Sequence, residues 1–202
     1  DGVLEDSEIW NTTAMCTGYV GMVKDIKSGA GSSYAKFLTA VGSRIFFIAE
    51  DGVHGWELWT SDGTSAGTAL VKDIGFVDSN PHQLTAVGST LYFTAADSTH
   101  GHELWKSDGT TNGTVMVKDI NSAGNGPSWE EVTVLGNTLY FNADDGTNGY
   151  ELWKSDGTSA GTVMVKDIYN CYSCNSNYAY PANLTVIGNT LYFQADDGSE
   201  FG

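Results

Sequence analysis

Short apolar segments alternate with glycine-rich turns along the whole chain, and this pattern predicts an all-β protein. In Leu139-Tyr140-Phe141 consecutive positions are apolar, so an extended strand there presents apolar side chains on both faces. Strands buried on both faces indicate sheets that stack face to face. Gly136-Asn137 separates this segment from the preceding one and is typical of a tight hairpin turn.

The pattern repeats at intervals of about fifty residues. Glu-Leu-Trp, a polar residue and Ser-Asp-Gly-Thr occupy 57–64, 103–110 and 151–158, with a weaker copy from Glu8. A second block, which carries the longest apolar runs, begins at Leu38, Leu84, Val132 and Leu184. Each unit predicts strands A and B in the second block, strand C at Glu-Leu-Trp and strand D at Val-Lys-Asp-Ile.

Four-stranded units of this length are typical of β-propeller blades. The chain begins with strands C and D and finishes with strands A and B, so the two incomplete units complement each other. We therefore predict one domain, 1–202, that forms a closed four-bladed β-propeller, which has no exposed sheet edges. The blades are predicted at about 27–74, 75–120 and 121–168, with a composite blade of 169–202 and 1–26. In the alternative, the terminal strands of neighbouring molecules pair and form a filament.

Composition narrows the classes of partner. The chain has 9 Lys and Arg against 25 Asp and Glu, a net charge of −16, and a negative surface repels nucleic acid and anionic lipid. No apolar run approaches the roughly 18 residues of a membrane span. The N-terminus has no basic or apolar signal region. We therefore expect a soluble mature chain that binds no nucleic acid and inserts into no membrane.

The repeated segments 57–64, 103–110 and 151–158 resemble the ELWxxDGT repeat of secreted and surface proteins. A short chain made of such repeats is also similar to the N-acetylglucosamine-binding lectin family of green seaweeds, the Ulva type. This resemblance implies a secreted, multivalent lectin and hemagglutinin whose partners are glycans bearing N-acetylglucosamine, with a homodimer left open. The N-terminal copy departs from the motif at Asn11-Thr12-Thr13.

One end of the predicted propeller collects the unusual side chains, because the B-to-C turns and the D-to-A crossovers share one face. A pyranose ring binds through an aromatic plane and through polar groups for its hydroxyls, and this face offers both in each unit. The predicted ligand-binding residues are Trp56, His102 and Tyr150, with His54, His100 and Asn148 two positions earlier, Tyr34, His82, Trp129 and Tyr180 in the crossovers, and Asp51, Asp97 and Asp145 after strand B. Alternatively, the aromatic residues cover blade edges and the aspartates cap turns.

Three further repeated features have structural interpretations. Asp62, Asp108 and Asp156 are predicted to accept a backbone N–H two residues on, with three equal sugar sites as the alternative. Trp10, Trp59, Trp105 and Trp153 are predicted to lie between blades as large flat spacers. Glu57 with Lys72, and their equivalents in the other units, are predicted to form cross-strand ion pairs.

Catalytic and metal-binding motifs are missing from the sequence, so we expect no enzyme, no cofactor and no metal site. Acidic turns such as Asp144-Asp145-Gly146 leave Ca²⁺ as an alternative, although their spacing differs from an EF-hand. The odd number of cysteines indicates one disulfide plus a free or intermolecular thiol. We predict Cys171–Cys174, with a link from Cys16 to one of them as the alternative. The runner-up function is a structural or adhesive secreted protein that packs or polymerises without a specific sugar, and a hydrolase, disfavoured by the missing catalytic set, comes third.

Overall fold

The computed structural model describes residues 9–13, 19–75, 78–169 and 178–199, and these are built from β-strands and turns. The N-terminal strand pair is β1 (Ile9–Thr13) and β2 (Tyr19–Lys24). The first sheet contains β3 (Lys36–Val41), β4 (Arg44–Glu50), β5 (Trp56–Ser61) and β6 (Ala69–Lys72). The second contains β7 (His82–Val87), β8 (Thr90–Ala96), β9 (His102–Ser107) and β10 (Val115–Lys118). The third contains β11 (Pro127–Leu135), β12 (Thr138–Asp144), β13 (Tyr150–Ser155) and β14 (Val163–Lys166), and the C-terminal hairpin is β15 (Ala182–Ile187) and β16 (Thr190–Gln194).

Each of the three sheets is an antiparallel meander in which strands pair in chain order. The prediction of an all-β chain whose complete units contain four antiparallel strands is therefore confirmed. The A-to-B turns begin with glycines whose φ angles lie between 60° and 63°, at Gly42, Gly88, Gly136 and Gly188. Residues other than glycine rarely adopt this left-handed backbone conformation, so these glycines permit the tight turn.

The core lies between neighbouring sheets, as expected for strands that are apolar on both faces. Phe46 and Leu58 of the first sheet pack against Phe93 and Trp105 of the second. The second and third sheets repeat this arrangement, and there Trp153 takes the place of Trp105. Each of these tryptophans therefore packs against the preceding sheet.

The prediction that the repeated tryptophans are buried spacers is confirmed for Trp59, Trp105 and Trp153, each of which is 6% exposed. Trp59 packs near Val23 of β2 and near Ile26, which lies just after that strand. The side chain of Trp10 lies outside the described part of the chain. The tryptophans thus join the strand pair and the three sheets into one stack.

The predicted ion pairs between strands C and D are wrong for Glu57, Glu103 and Glu151, and Glu8 lies outside the described residues. A register shift between Leu58 and Trp59 places Lys72 opposite Leu58 rather than Glu57. The Lys72 ammonium instead donates to the carbonyl of Thr114 in the second sheet, at 2.9 Å. Lys24 and Lys118 donate in the same way to the next sheet along the chain. These lysines therefore connect sheets.

We expect Lys72→Met to lower the free energy of unfolding by about 1–2 kcal/mol, because a charged hydrogen bond between sheets is lost. The Lys72 ammonium also lies 5.7 Å from the ring centroid of Trp105, and a methionine at this position keeps an apolar side chain beside that ring. Denaturant unfolding measures the change. Lys154→Met, at an exposed position of the third sheet, is the matched control and should change the free energy by less than about 0.5 kcal/mol. Equal effects of the two substitutions would contradict a role in joining sheets.

The glutamate of strand C binds the crossover that leads to the next sheet. Glu57 is fully buried, and its carboxylate accepts N–H groups from Ile74, Gly75 and Ser79 at 3.2, 3.4 and 3.0 Å. Glu103 likewise accepts the N–H groups of two residues that follow strand D. Burial outweighs these hydrogen bonds and raises the pKa of Glu57 to about 7.

The two incomplete units form separate two-stranded sheets, and in the described residues β16 and β1 are not paired. The C-terminal hairpin packs through β15 against β11 of the third sheet. Its side chains are more exposed than their counterparts, since Phe193 is 40% exposed whereas Phe141 is 2% exposed. Among the described strands neither closure nor a complete fourth blade is observed.

Candidate functional site

The B-to-C turns are each organised by an aspartate that the sequence assigned to ligand binding. Asp51 accepts the N–H groups of Val53 and His54 at 2.8 and 2.9 Å, and its second oxygen lies 2.7 Å from His54 Nδ1. Burial raises the pKa of Asp51, but these hydrogen bonds outweigh it and lower the pKa. The bond to Asp51 raises the pKa of His54.

The other two turns repeat this geometry. Asp97 binds His100, and Asp145 binds Asn148, whose side chain takes the place of the imidazole. His100 also lies 3.9 Å from Asp119, which follows strand D. All six residues therefore have a structural role as turn caps, in agreement with the alternative interpretation of these aspartates.

The residues Trp56, His102 and Tyr150 lie where consecutive sheets meet. Each is the first residue of a strand C, and its carbonyl accepts an N–H from the crossover to the next sheet. For Tyr150 the donor is Tyr180, at 3.1 Å. We call these three places the first, second and third junctions, in chain order.

The predicted crossover residues are not equivalent to one another. Tyr34, Asn80 and Tyr180 share a left-handed φ of 48°, 44° and 43°, so Asn80 is the counterpart of the two tyrosines. His82 comes two positions later, at the start of β7. The side chain of Trp129 lies outside the described part, as do Cys16, Cys171 and Cys174 with the predicted disulfide.

The structure brings several of the predicted aromatic residues together. Trp56 lies 6.2 Å from Tyr34, and Tyr150 lies 5.6 Å from Tyr180 with ring planes 21° apart. His102 and His82 form an edge contact at 6.4 Å, and burial lowers the pKa of His102 to about 4. Each of the three sheets therefore has a small aromatic cluster at the same end.

The third junction combines its aromatic cluster with a sizeable cavity. The volume is about 290 Å³, and the lining residues are Ser128, Glu131, Asn142, Tyr150, Tyr180, Pro181 and Ala182. At the junction between the second and third sheets, a cavity lined by Thr94 and Pro127 measures about 10 Å³ and is mostly apolar. The larger cavity is therefore the candidate binding site.

Asn142 contributes a buried polar group to this cavity. It is 5% exposed, and its Nδ2 donates to the carbonyl of Pro181 at 3.3 Å. Its Oδ1 is buried and accepts no hydrogen bond from the part of the chain that the structure describes. Glu131 lies on the same wall, where one carboxylate oxygen accepts the N–H of Leu184 at 3.3 Å. The cavity thus presents hydrogen-bond acceptors beside two tyrosine rings.

Sequence reasoning missed Ser128, Glu131 and Asn142. A signal was present, because the third unit has two more residues between its proline and the second block than the second unit has. Asn142 also stands where the first two sheets have Ile48 and Thr94, as the pairing of each with a strand C leucine shows. These departures from the repeat distinguish the third junction.

The opposite face of the stack contains the C-to-D turns. Asp62 accepts the N–H of Thr64 at 2.9 Å and its hydroxyl at 2.7 Å, and Asp108 and Asp156 repeat both contacts. The predicted turn structure is therefore confirmed. The hydroxyl and backbone bonds of Thr64 lower the pKa of Asp62.

Within the described residues, no three His, Cys, Asp or Glu side chains lie close enough to hold a metal ion. The same residues include no helix that is long and apolar enough to cross a membrane.

No protein-family model matches the chain, and no curated protein is significantly similar to it. Among solved structures, a puromycin hydrolase mutant in complex with a ligand has a similar fold, with a TM-score of 0.51 and 9% sequence identity. The match covers 80% of this chain and 25% of the hydrolase chain. At this identity the likeness shows the fold alone, an all-β arrangement of sheets related to β-propellers.

This comparison corrects one prediction. We expected from the missing catalytic motifs that the protein is not an enzyme. A solved structure with a similar fold is that of a hydrolase, which contradicts that expectation. The absence of catalytic motifs from this sequence does not exclude an enzyme, because a similar fold occurs within one.

Proposed function

We propose that the protein is a multivalent carbohydrate-binding protein, a lectin that recognises N-acetylglucosamine-type sugars on glycans. The observation that carries the proposal is the aromatic cluster at one end of each of the three sheets, with polar side chains beside it. A sugar ring stacks its C–H face on an aromatic plane, while its hydroxyls bond to polar groups. Repeated sites on one rigid scaffold would gain affinity for multivalent glycans through effective concentration.

The proposal includes the closed four-bladed propeller. The C-terminal hairpin has strands A and B of a unit, and β1 and β2 have strands C and D, so pairing of β16 with β1 would complete a fourth blade. The exposed Phe193 and Tyr192 support this completion, since burial of such side chains stabilises a fold. Pairing between molecules instead would produce the adhesive, polymerising alternative.

We expect the wild-type protein to bind immobilised glycans with terminal N-acetylglucosamine and to release them when free sugar is added. The double variant Trp56→Ala/Tyr150→Ala should lose at least about tenfold in affinity, which corresponds to about 1.4 kcal/mol. Glycan-array binding and agglutination measure both. The double variant Asp62→Asn/Asp156→Asn, on the opposite face, is the control. If only this control lost binding, the sugar would bind the C-to-D turns instead.

A second candidate function is that of the propeller part of a hydrolase. The likeness to puromycin hydrolase, of which this chain spans about a quarter of the length, favours it. Release of the chromophore from aminoacyl-anilide substrates by the protein would support this candidate. Glycan binding without such release would favour the lectin.

A further inference from the structure

We propose that the cavity at the third junction is a subsite for one neutral pyranose ring that presents several hydrogen-bond donors, and that it rejects acidic sugars. This inference rests on the proposed function, and it assigns the ring bound in the cavity to the third of the three junctions.

The size of the cavity sets the size of the ligand. Ligand pockets commonly measure roughly 300–1,000 Å³, and the volume of about 290 Å³ at the third junction lies at the lower limit of that range. A single ring suits this volume better than an oligosaccharide does. The corresponding cavity of about 10 Å³ between the second and third sheets has no room for a sugar.

Tyr150 and Tyr180 supply the apolar surface. Their rings stack on each other, and Tyr180 is 56% exposed, which leaves part of its surface open to a ligand. At the first junction the Lys36 ammonium lies 3.9 Å from the ring centroid of Trp56. A cation thus already occupies one face of that indole ring, whereas Tyr150 and Tyr180 line the cavity.

The polar groups at the cavity set the chemistry of the ligand. Asn142 Oδ1 is an acceptor without a partner in the described residues, and a buried unsatisfied group costs about 1–3 kcal/mol. If the side-chain amide of Asn142 were flipped, its oxygen would face the carbonyl oxygen of Pro181, and two acceptors cannot form a hydrogen bond. The bond donated by Nδ2 therefore fixes which amide atom is Oδ1. A ligand hydroxyl or amide N–H at this wall would satisfy Oδ1.

The charges at the cavity exclude anions. The Glu131 carboxylate lines the wall, and Asp144 is paired with Tyr150 across β12 and β13. Their negative charges add to the net charge of −16 of the chain. A uronic or sialic acid would therefore meet repulsion in a partly enclosed space, where charges interact more strongly than in water.

Titration calorimetry with free N-acetylglucosamine and with glucuronic acid, together with saturation-transfer NMR on the tyrosine rings, tests the proposal. Asn142→Leu and Glu131→Gln should each weaken N-acetylglucosamine binding by at least about tenfold, because each removes or weakens an acceptor. Thr94→Val is the matched control, since Thr94 is the counterpart of Asn142 in the second sheet, and it should bind as the wild type does. Glu131→Gln keeps the shape of the side chain, so its folding can be verified by an unchanged melting temperature.

The outcomes separate this inference from the proposed function. Loss of binding in Asn142→Leu and Glu131→Gln with normal binding in Trp56→Ala supports the subsite. Normal binding in the first two variants with loss in Trp56→Ala overturns the subsite but leaves the lectin proposal standing. Glucuronic acid binding as tightly as N-acetylglucosamine overturns the predicted selectivity. A wild-type protein that binds no sugar overturns both proposals.

Discussion

Glu57→Ala should lower the free energy of unfolding at pH 5 by about 3–4 kcal/mol, because it leaves several buried backbone N–H groups without an acceptor. The Glu57 carboxyl group is the acceptor for Ile74, Gly75 and Ser79. The contacts of Gly75 and Ser79 are buried, so water cannot replace the lost acceptor there. Denaturant unfolding followed by tryptophan fluorescence measures the effect.

Glu50→Ala is the matched control for this loss. Glu50 lies on the neighbouring strand, is partly exposed, and forms an ion pair with Lys27 at 2.8 Å. Surface ion pairs contribute about 0–1 kcal/mol, so this variant should stay within about 1 kcal/mol of the wild type. If Glu57→Ala were no more destabilising than Glu50→Ala, the crossover would not depend on the buried carboxyl group.

The stability of the wild type relative to Glu57→Gln should fall by about 2.5 kcal/mol between pH 5 and pH 8. Burial raises the pKa of Glu57 from 4.5 in the unfolded chain to about 7 in the folded protein. Between these values the folded state binds more protons than the unfolded state, so stability decreases as pH rises. The contribution is fully present below pH 4.5 and lost as the pH rises through about 7.

The comparison with Glu57→Gln isolates this group from others that titrate in the same range. His102 has its pKa lowered to about 4 by burial, so its contribution to stability is present above its unfolded pKa of 6.5 and lost as pH falls. Glu103 has a pKa raised to about 7 by burial and acts in the same direction as Glu57. Both occur unchanged in wild type and variant. A stability difference that is constant from pH 5 to pH 8 would show that Glu57 stays ionised throughout.

Much of the fold follows from the repeat. Alternating turns and apolar runs predict the four antiparallel strands of each unit, and Trp105 and Trp153 are buried as predicted because only a large apolar side chain fills the space between sheets. The repeat also predicts which residues lie at the junctions. Trp56, His102 and Tyr150 occupy equivalent positions because they precede the same Glu-Leu-Trp segment.

Register is what the sequence does not reveal. The shift between Leu58 and Trp59 moves Lys72 out of alignment with Glu57, and neither residue type signals it. The ion pair predicted from equal spacing along the two strands therefore does not form. The actual partners are the crossover amides for the glutamate and a carbonyl of the next sheet for the lysine, and both depend on how units pack.

The candidate site lies where the third unit departs from the repeat, so the repeated residues do not reveal it. Residues that recur in every unit stand out in a repeat, but Asn142 and Glu131 occur where the third unit departs from it. A cavity forms at a junction because one unit differs from its neighbours, and its volume depends on packing between strands far apart in the sequence. Residues that differ from the repeat are therefore the better signal for a binding site, whereas residues that recur in every unit indicate a structural role.

The lysine bonds from Lys24, Lys72 and Lys118 each reach one sheet further along the chain. Contacts of this kind make the molecule quasi-one-dimensional, so its stability is close to a sum of terms for each unit and for each interface between nearest neighbours. The second sheet has a neighbour on both sides, whereas the C-terminal hairpin has one in the described structure. Without pairing of β16 and β1, local opening therefore costs most at the second sheet and least at the C-terminal hairpin, and the third junction lies next to that hairpin.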